Sequence, residues 1–376
     1  MDFARRTDRI RISGIRRVFE AAGEDAINLG LGQPDFPAPD HARRAAVDAI
    51  ERGDADGYTS NAGIAPLREA IADHGAPSGV DAAPGNVIAT SGASEALHLA
   101  IQAHVEPGDE VLIPDPGFVS YDALAKVADA DPVGVPLDDE LRMPVEATKE
   151  RITDDTAAIV VNSPANPTGA VQTEDQMRGF AALADDHDVV LISDEVYDEF
   201  VYDGAHHSPA TFAEDDGANV VTVNAASKRY AMTGWRLGWV VAAEERVDEM
   251  IKVHQYVQAC ASAPAQYAAE AALTGGEQTD EAVSEMKAAF EERRDLVLDG
   301  LAAAGLDCPT PRGAFYAFPE VPEGFVDACL ERDVVTVPGS AFGDGGAGHA
   351  RLSYAASVEE LEEALERIAD AVAALR

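Results

Sequence analysis

Between positions 227 and 238 the chain reads Ser-Lys-Arg-Tyr-Ala-Met-Thr-Gly-Trp-Arg-Leu-Gly. One primary amine, Lys228, stands beside a hydroxyl, Ser227, with a second cation, Arg236, eight residues on. That set suits covalent chemistry on a carbonyl. The amine can form a Schiff base, while the hydroxyl and the guanidinium hold an anion such as a phosphate. The ordinary alternative is a solvated lysine in a loop. Composition weakens it, because only five lysines occur in 376 residues (Lys126, Lys149, Lys228, Lys252 and Lys287). This one sits among aromatic and small residues.

The elements that must position such groups are read from periodicity. Short apolar runs at 86–90, 110–113, 133–136, 157–162, 189–193, 220–223 and 238–241 alternate with charged, helical stretches. The pattern predicts an α/β fold with a mostly parallel seven-stranded sheet covered by helices on both faces. In such sheets ligands bind beyond the carboxyl ends of strands. The polar groups 91–95, 116–118, 162–166, 194–197 and 227–228 each follow a run at once or within a few residues, which predicts a crevice along that edge. Ser91 to Glu95 opens a helix whose free N–H groups suit a phosphate, unless it is a plain capping box. Asp194 closes a strand, where a carboxylate without a cation would be costly to bury. A helical stretch from about Glu245 to Ala303 follows. Three strand-like segments (313–318, 334–343 and 350–354) and an amphipathic helix (358–375) then predict a small α+β domain.

These segments resemble the class I/II aminotransferases, pyridoxal-phosphate enzymes of fold type I. The resemblance rests on the Ser227–Gly238 stretch and on LGLGQPDF (29–36), GYTSNAGIAPLREAI (57–71), NSPANPTG (162–169), SDEVY (193–197), GAFY (313–316), VPGSAFG (337–343) and RLSY (351–354), so it spans essentially the whole chain. It implies a large cofactor-binding domain at 34–277 and a small domain made of 1–33 and 278–376. It implies that Lys228 carries pyridoxal 5'-phosphate and later moves the substrate's α-proton. Gly92, Ala93 and Ser94 would form the phosphate cup with Ser227 and Arg236. Phe118 would stack on the ring, Asn166 and Tyr197 would bond its phenolic oxygen, and Asp194 would pair with its nitrogen. Tyr58 would reach the phosphate of a partner subunit, which implies a homodimer. Gly32, Asn166 and Arg351 would hold the substrate carboxylate. Plainer roles exist for several of these: a turn for Gly32, core packing for Phe118, a structural salt bridge for Arg351.

The implied activity moves an amino group from an L-amino acid (aspartate, aromatic or a broad range) to a 2-oxo acid such as 2-oxoglutarate, by a ping-pong mechanism. Family members that prefer aspartate can carry a lysine in the cup motif; Ser94 and Glu95 occupy that region here, which argues against strict aspartate specificity. Two rival readings use the same scaffold. A C–S β-lyase would employ the same lysine, and a cofactor-binding regulator would need an added basic helix-turn-helix domain.

Net charge bounds the partners. Twenty-eight basic residues against 68 acidic ones give a formal −40, which repels nucleic acid and anionic membranes. The acid is dispersed along the chain and lysine is scarce, a pattern suited to a cytosol of very high salt and so to a halophilic source. Cys260, Cys308 and Cys329 form no CxxC and read as reduced thiols of a cytoplasmic protein. The histidines show no metal-binding spacing, so no metal is assigned. Gly343 to Gly348 spells G-x-G-x-x-G, but a strand follows it where a dinucleotide site needs a helix. Arg5-Arg6 is followed by no apolar segment, which argues against export, and no run is long enough to span a membrane. The basic arm, with Arg5, Arg6, Arg9, Arg11, Arg16 and Arg17, either pairs with acidic surface or lays residues 13–16 over the site.

Overall fold

The computed structural model describes residues 3–10, 14, 23, 26–75, 82–213 and 219–376. After a short strand β1 (Ile27–Asn28), seven strands build the main sheet. They are β2 (Val87–Thr90), β3 (Glu110–Asp115), β4 (Asp131–Pro136), β5 (Thr156–Asn162), β6 (Val190–Asp194), β7 (Val220–Ala225) and β8 (Gly238–Ala242). Their order among the described residues is β2-β8-β7-β6-β5-β3-β4. Every neighbouring pair is parallel except those of β8, which runs antiparallel to both β2 and β7. The expected strands are all present. β4 starts two residues early, because an edge strand tolerates the Asp131-Pro132 opening that hides it from an apolar scan.

Side-chain alternation divides the sheet into two buried faces. Ile88, Val160, Ile192 and Val221 pack with the helix Ala93–His104 on one side. Val87 and Ala89 on the other face meet one helical cluster, Ile159, Val161 and Leu191 another. Burial on both faces explains why the central strands read as unbroken apolar runs rather than alternating ones. The reversal of β8 has a local consequence. Its amino end lies at the edge where the parallel strands finish, so the link from Ser227 to Gly238 never leaves that rim.

The helical stretch resolves into helices Glu244–Val257, Ala263–Leu273 and Glu277–Ala303, with Gly275 and Gly276 at the second break. Beyond it come β9 (Tyr316–Ala317), β10 (Val334–Val335), β11 (Val337–Pro338), β12 (Ala350–Ser353) and a closing helix, Val358–Leu375, capped by Ser357. The expected middle segment splits at Thr336. β10 pairs in parallel with β1, whereas β11 joins β12 and β9 in an antiparallel sheet. A core of Phe290, Phe315, Tyr316, Leu352 and Leu361 lies beneath. The Gly343–Gly348 stretch is a turn leading into β12, as its sequence context predicts.

In the arm, Arg9 pairs with Asp131 at 2.5 Å and Arg5 lies 3.7 Å from Asp129, which is the surface-pairing role. Of the stretch 13–16 placed over the site, all but Gly14 lies outside the described residues, as do Arg11 and Arg17. Among the described residues no helix is long and apolar enough to cross a membrane, and no group of three or more His, Cys, Asp or Glu could hold a metal ion. The three cysteines are free, and burial pushes the Cys329 thiol up to about 12.

Phe290, on the helix Glu277–Ala303, joins parts of the chain far apart in sequence: its ring contacts Phe36, Phe200 and Phe315 at centroid distances of 5.6, 5.4 and 5.0 Å. Phe290→Ala is expected to cost about 3–5 kcal/mol, read as a lower midpoint of denaturant unfolding.

Candidate active site

A cavity of about 230 Å³ opens at the carboxyl edge of the sheet. One wall comes from the strand ends, the other from the segment after β1 and from β9 and β12. Asn162 and Asp194 end β5 and β6 in register with each other. The Asn162 amide donates to the Asp194 carbonyl at 2.9 Å and accepts the Asn166 N–H at 2.8 Å. That stitching holds two loops at one height. Lys228 stands on the short helix Ala226–Arg229 directly after β7, and Phe118 precedes the helix Val119–Val127 after β3.

Lys228 Nζ donates to the Gly32 carbonyl and lies 5.9 Å from the ring centroids of both Tyr197 and Phe315. Burial lowers its amine to about 8, assisted by the positive charges of Arg351 and Arg236 and opposed by Asp194. A larger share of the amine is therefore free of its proton near neutrality, as a nucleophile or base requires. Gly32 has to be glycine, since a Cβ there would strike the Tyr316 hydroxyl.

Asp194 is 3% exposed. Its Oδ2 accepts from the Tyr121 hydroxyl at 2.7 Å and its Oδ1 from the Val196 N–H at 3.4 Å. Burial raises this carboxyl to about 6, against the pull of those two donors. Among the described residues no cation stands within ion-pairing distance of it. Tyr197 meets Tyr316 hydroxyl to hydroxyl at 2.7 Å.

Arg351, from β12, is 2% exposed. It donates to Asn166 Oδ1 at 2.8 Å and to the Gly30 carbonyl at 2.6 Å. Its guanidinium lies 4.6 Å from the centroid of the Tyr316 ring. No described carboxylate pairs with it and its Nε has no acceptor, so the salt-bridge alternative is not realised. Arg236 takes a left-handed backbone (φ 54°) and donates to the carbonyls of Thr233 and Ser91 at 3.1 and 3.4 Å. It crosses the start of the helix Ala93–His104. Gly92 (φ 82°) leaves room for it, as a Cβ there would lie 2.6 Å from Nη2. Ala93, Ser94 and Ser227 line the same end of the cavity.

The structure thus brings together Gly32, Ala93, Ser94, Phe118, Asn166, Asp194, Tyr197, Ser227, Lys228, Arg236 and Arg351, with Gly92 just behind. Tyr58 lies apart and is 92% exposed. Tyr121, Tyr316 and Asn162 also line the cavity without having been singled out from the sequence. The sequence carried no signal for Tyr121, an aromatic inside the helix Val119–Val127 that reads as core packing.

Between 3.8 and about 6 the folded Asp194 keeps a proton that the unfolded chain has released. The native state binds more protons in that window, so its stability falls as pH rises through it. Relative to the cofactor-free parent, Asp194→Asn is therefore expected to gain on the order of 2–3 kcal/mol between about pH 4 and about pH 7, measured by denaturant unfolding.

A family model described as aminotransferase class I and II matches residues 24–368. A probable aspartate aminotransferase of Methanocaldococcus jannaschii is 41% identical, over 96% of this chain and 97% of that relative. Aromatic-amino-acid aminotransferase 2 of Thermococcus litoralis is 38% identical, over 98% of this chain and 97% of its own. The solved structure of the aspartate aminotransferase from Thermus thermophilus with maleate superposes with a TM-score of 0.94 at 36% identity, covering 99% of this chain and 100% of that one. With a family match across nearly its full length and a fold shared at that level, the chain belongs to the class I and II aminotransferases, which are pyridoxal-phosphate-dependent enzymes.

Proposed function

We propose that this aminotransferase takes amino groups from a broad range of L-amino acids, neutral and aromatic as well as acidic, and passes them to a 2-oxo acid such as 2-oxoglutarate in a ping-pong cycle. The observation that carries the reading is Arg351. It is a buried cation with only neutral acceptors, its Nε is unpartnered, and it shares a cavity with the desolvated amine of Lys228. Such a group is suited to clamp an α-carboxylate through a bidentate pair.

The cavity's donor set fits pyridoxal phosphate. Asp194 is a buried carboxylate without a cation among the described residues, so a protonated ring nitrogen would complete it. Arg236, the Ser227 hydroxyl and the N–H groups that open the helix Ala93–His104 are three independent donors for a phosphate at the other end. When bound, the cofactor supplies a carbonyl carbon for the amino group and a ring that accepts the electrons of the α C–H bond. The chain's own groups do the rest. Lys228, whose proton is held less tightly than an ordinary lysine's, would move the α-proton from carbon to carbon. Tyr121 would keep the Asp194 carboxylate oriented. Asn166 spends its oxygen on Arg351, leaving its amide NH₂ to donate into the cavity beside Tyr197, and Phe118 would cover the ring's face.

Breadth follows from what surrounds the substrate's far end. The described cations lining the cavity are Lys228, Arg236 and Arg351, and each already has a task. Ser94 stands in the cup where a further cation would contact a distal carboxylate, while Leu31 and Phe118 offer apolar surface. Tyr58, exposed in the single chain, would reach the phosphate site of the partner subunit in a homodimer. The domain boundaries proposed from the sequence are kept, 34–277 for the large unit and 1–33 with 278–376 for the small one. Pairing of β1 with β10 supports that grouping. A cytoplasmic, high-salt setting is the reading of the −40 charge.

The test is a half-reaction in molar potassium chloride, following conversion of the cofactor's aldehyde form to its amine form by single amino acids. Conversion by aromatic donors as well as aspartate is expected. Conversion by aspartate alone would overturn the breadth, and release of pyruvate and ammonia without conversion would put a β-lyase in its place. Lys228→Ala is expected to lose at least about 10³-fold in turnover, with its circular dichroism unchanged. Arg351→Lys should raise KM about 10- to 100-fold for every α-amino acid alike.

A further inference from the structure

The helix Ala93–His104 opens where the proposed function puts a phosphate, yet its first turn contains an acidic side chain. Glu95 is only 9% exposed. A carboxylate at a helix start is favourable by itself, but beside a phosphate dianion it is a like charge in a poorly hydrated place. The contacts around it resolve the conflict. Glu95 Oε2 accepts the Ser91 N–H at 2.5 Å, and Oε1 lies 2.8 Å from Nδ1 of His254. The His254 side chain is fully buried. Its other nitrogen, Nε2, lies 2.9 Å from the carbonyl oxygen of Asn61. A carbonyl oxygen can only accept, so Nε2 carries a hydrogen. One further proton lies between Nδ1 and the carboxylate, because two lone pairs facing each other at that distance would repel. Whichever atom holds it, the two side chains together carry no net charge.

Asn61 belongs to the loop from which Tyr58 projects. Gln266 holds that loop from the other side, accepting the Ile64 N–H at 2.8 Å and donating to Thr59 Oγ1 at 3.0 Å. Asn61 itself donates to the Ala259 carbonyl at 2.6 Å. The contact to His254 therefore joins the helix start to the Tyr58 loop.

We propose that His254 is a positioning residue for the cofactor's phosphate: it cancels the charge of Glu95 behind the helix start and fixes the Tyr58 loop against it. The inference rests on the reading of Gly92, Ala93, Ser94 and Arg236 as the phosphate site. It has a sign-specific consequence. Removing His254 leaves Glu95 as an uncompensated anion beside the phosphate, and removing that charge as well should repair the damage.

The experiment measures the affinities of the full-length protein for pyridoxal phosphate and for inorganic phosphate, by fluorescence titration. His254→Gln is expected to weaken both by about tenfold or more. Combining it with Glu95→Gln should bring both back to within about threefold of the parent, although a second side chain has been changed. A double variant that binds no better than His254→Gln overturns the inference. Arg236→Ala separates the underlying reading: if it leaves both affinities unchanged, the phosphate site lies elsewhere. Should His254→Gln fold but prove too unstable to titrate, the same comparison is read on thermal midpoints. There a double variant more stable than the single one supports charge cancellation, and one no more stable overturns it.

Discussion

Charge held away from water is the condition on which the site depends. Lys228, Arg351 and Asp194 are withdrawn into one small cavity while Arg236 stays exposed at its rim, and none of the four has a protein counter-ion at contact distance among the described residues. Desolvation lowers the Lys228 amine to about 8 and raises the Asp194 carboxyl to about 6, so each is displaced toward its neutral form. That displacement is opposite in sign for the two groups and has the same origin. It makes the amine reactive and leaves the carboxylate short of a positive partner. Arg351 shows the same physics in a group that cannot readily give up its proton, and so must find an anion.

The sheet is what makes such a concentration geometrically possible. Five parallel strand ends deliver a loop each to one rim, and the reversed β8 returns the chain to it with Arg236 in place. Without that reversal, Arg236 and Lys228 would emerge at opposite ends of the sheet despite being eight residues apart. The opposite wall is assembled from far-separated pieces: Gly30 and Gly32 after β1, Tyr316 in β9 and Arg351 in β12. The Lys228 contact to the Gly32 carbonyl bridges the two walls.

Much of this was legible in the sequence because polar residues recur just after apolar runs, and that regularity already implies an edge. Asp194 was readable by type, a charge closing an apolar run, and Arg351 through the RLSY motif that carries the family resemblance. Tyr121 was not, since an aromatic inside a helix reads as core until its hydroxyl is seen to meet a carboxylate. The division of 334–338 between two sheets left no trace either. Val335 and Val337 are equally apolar and equally buried, and only the partner changes. The Glu95–His254 pair was invisible for a third reason: its members are distant in the chain, and each alone looks like a surface residue.

The pairing of β1 with β10 also bears on how the enzyme is made. Ile27 and Val334 are neighbours although roughly 300 residues separate them, and the Ser353 N–H closes onto the Leu29 carbonyl at 2.6 Å. All seven strands of the main sheet emerge from the ribosome well before these partners do. The sheet can therefore form while the chain is still growing, but the cavity cannot. Its second wall waits for β12, so the cavity is complete only once synthesis has passed that strand.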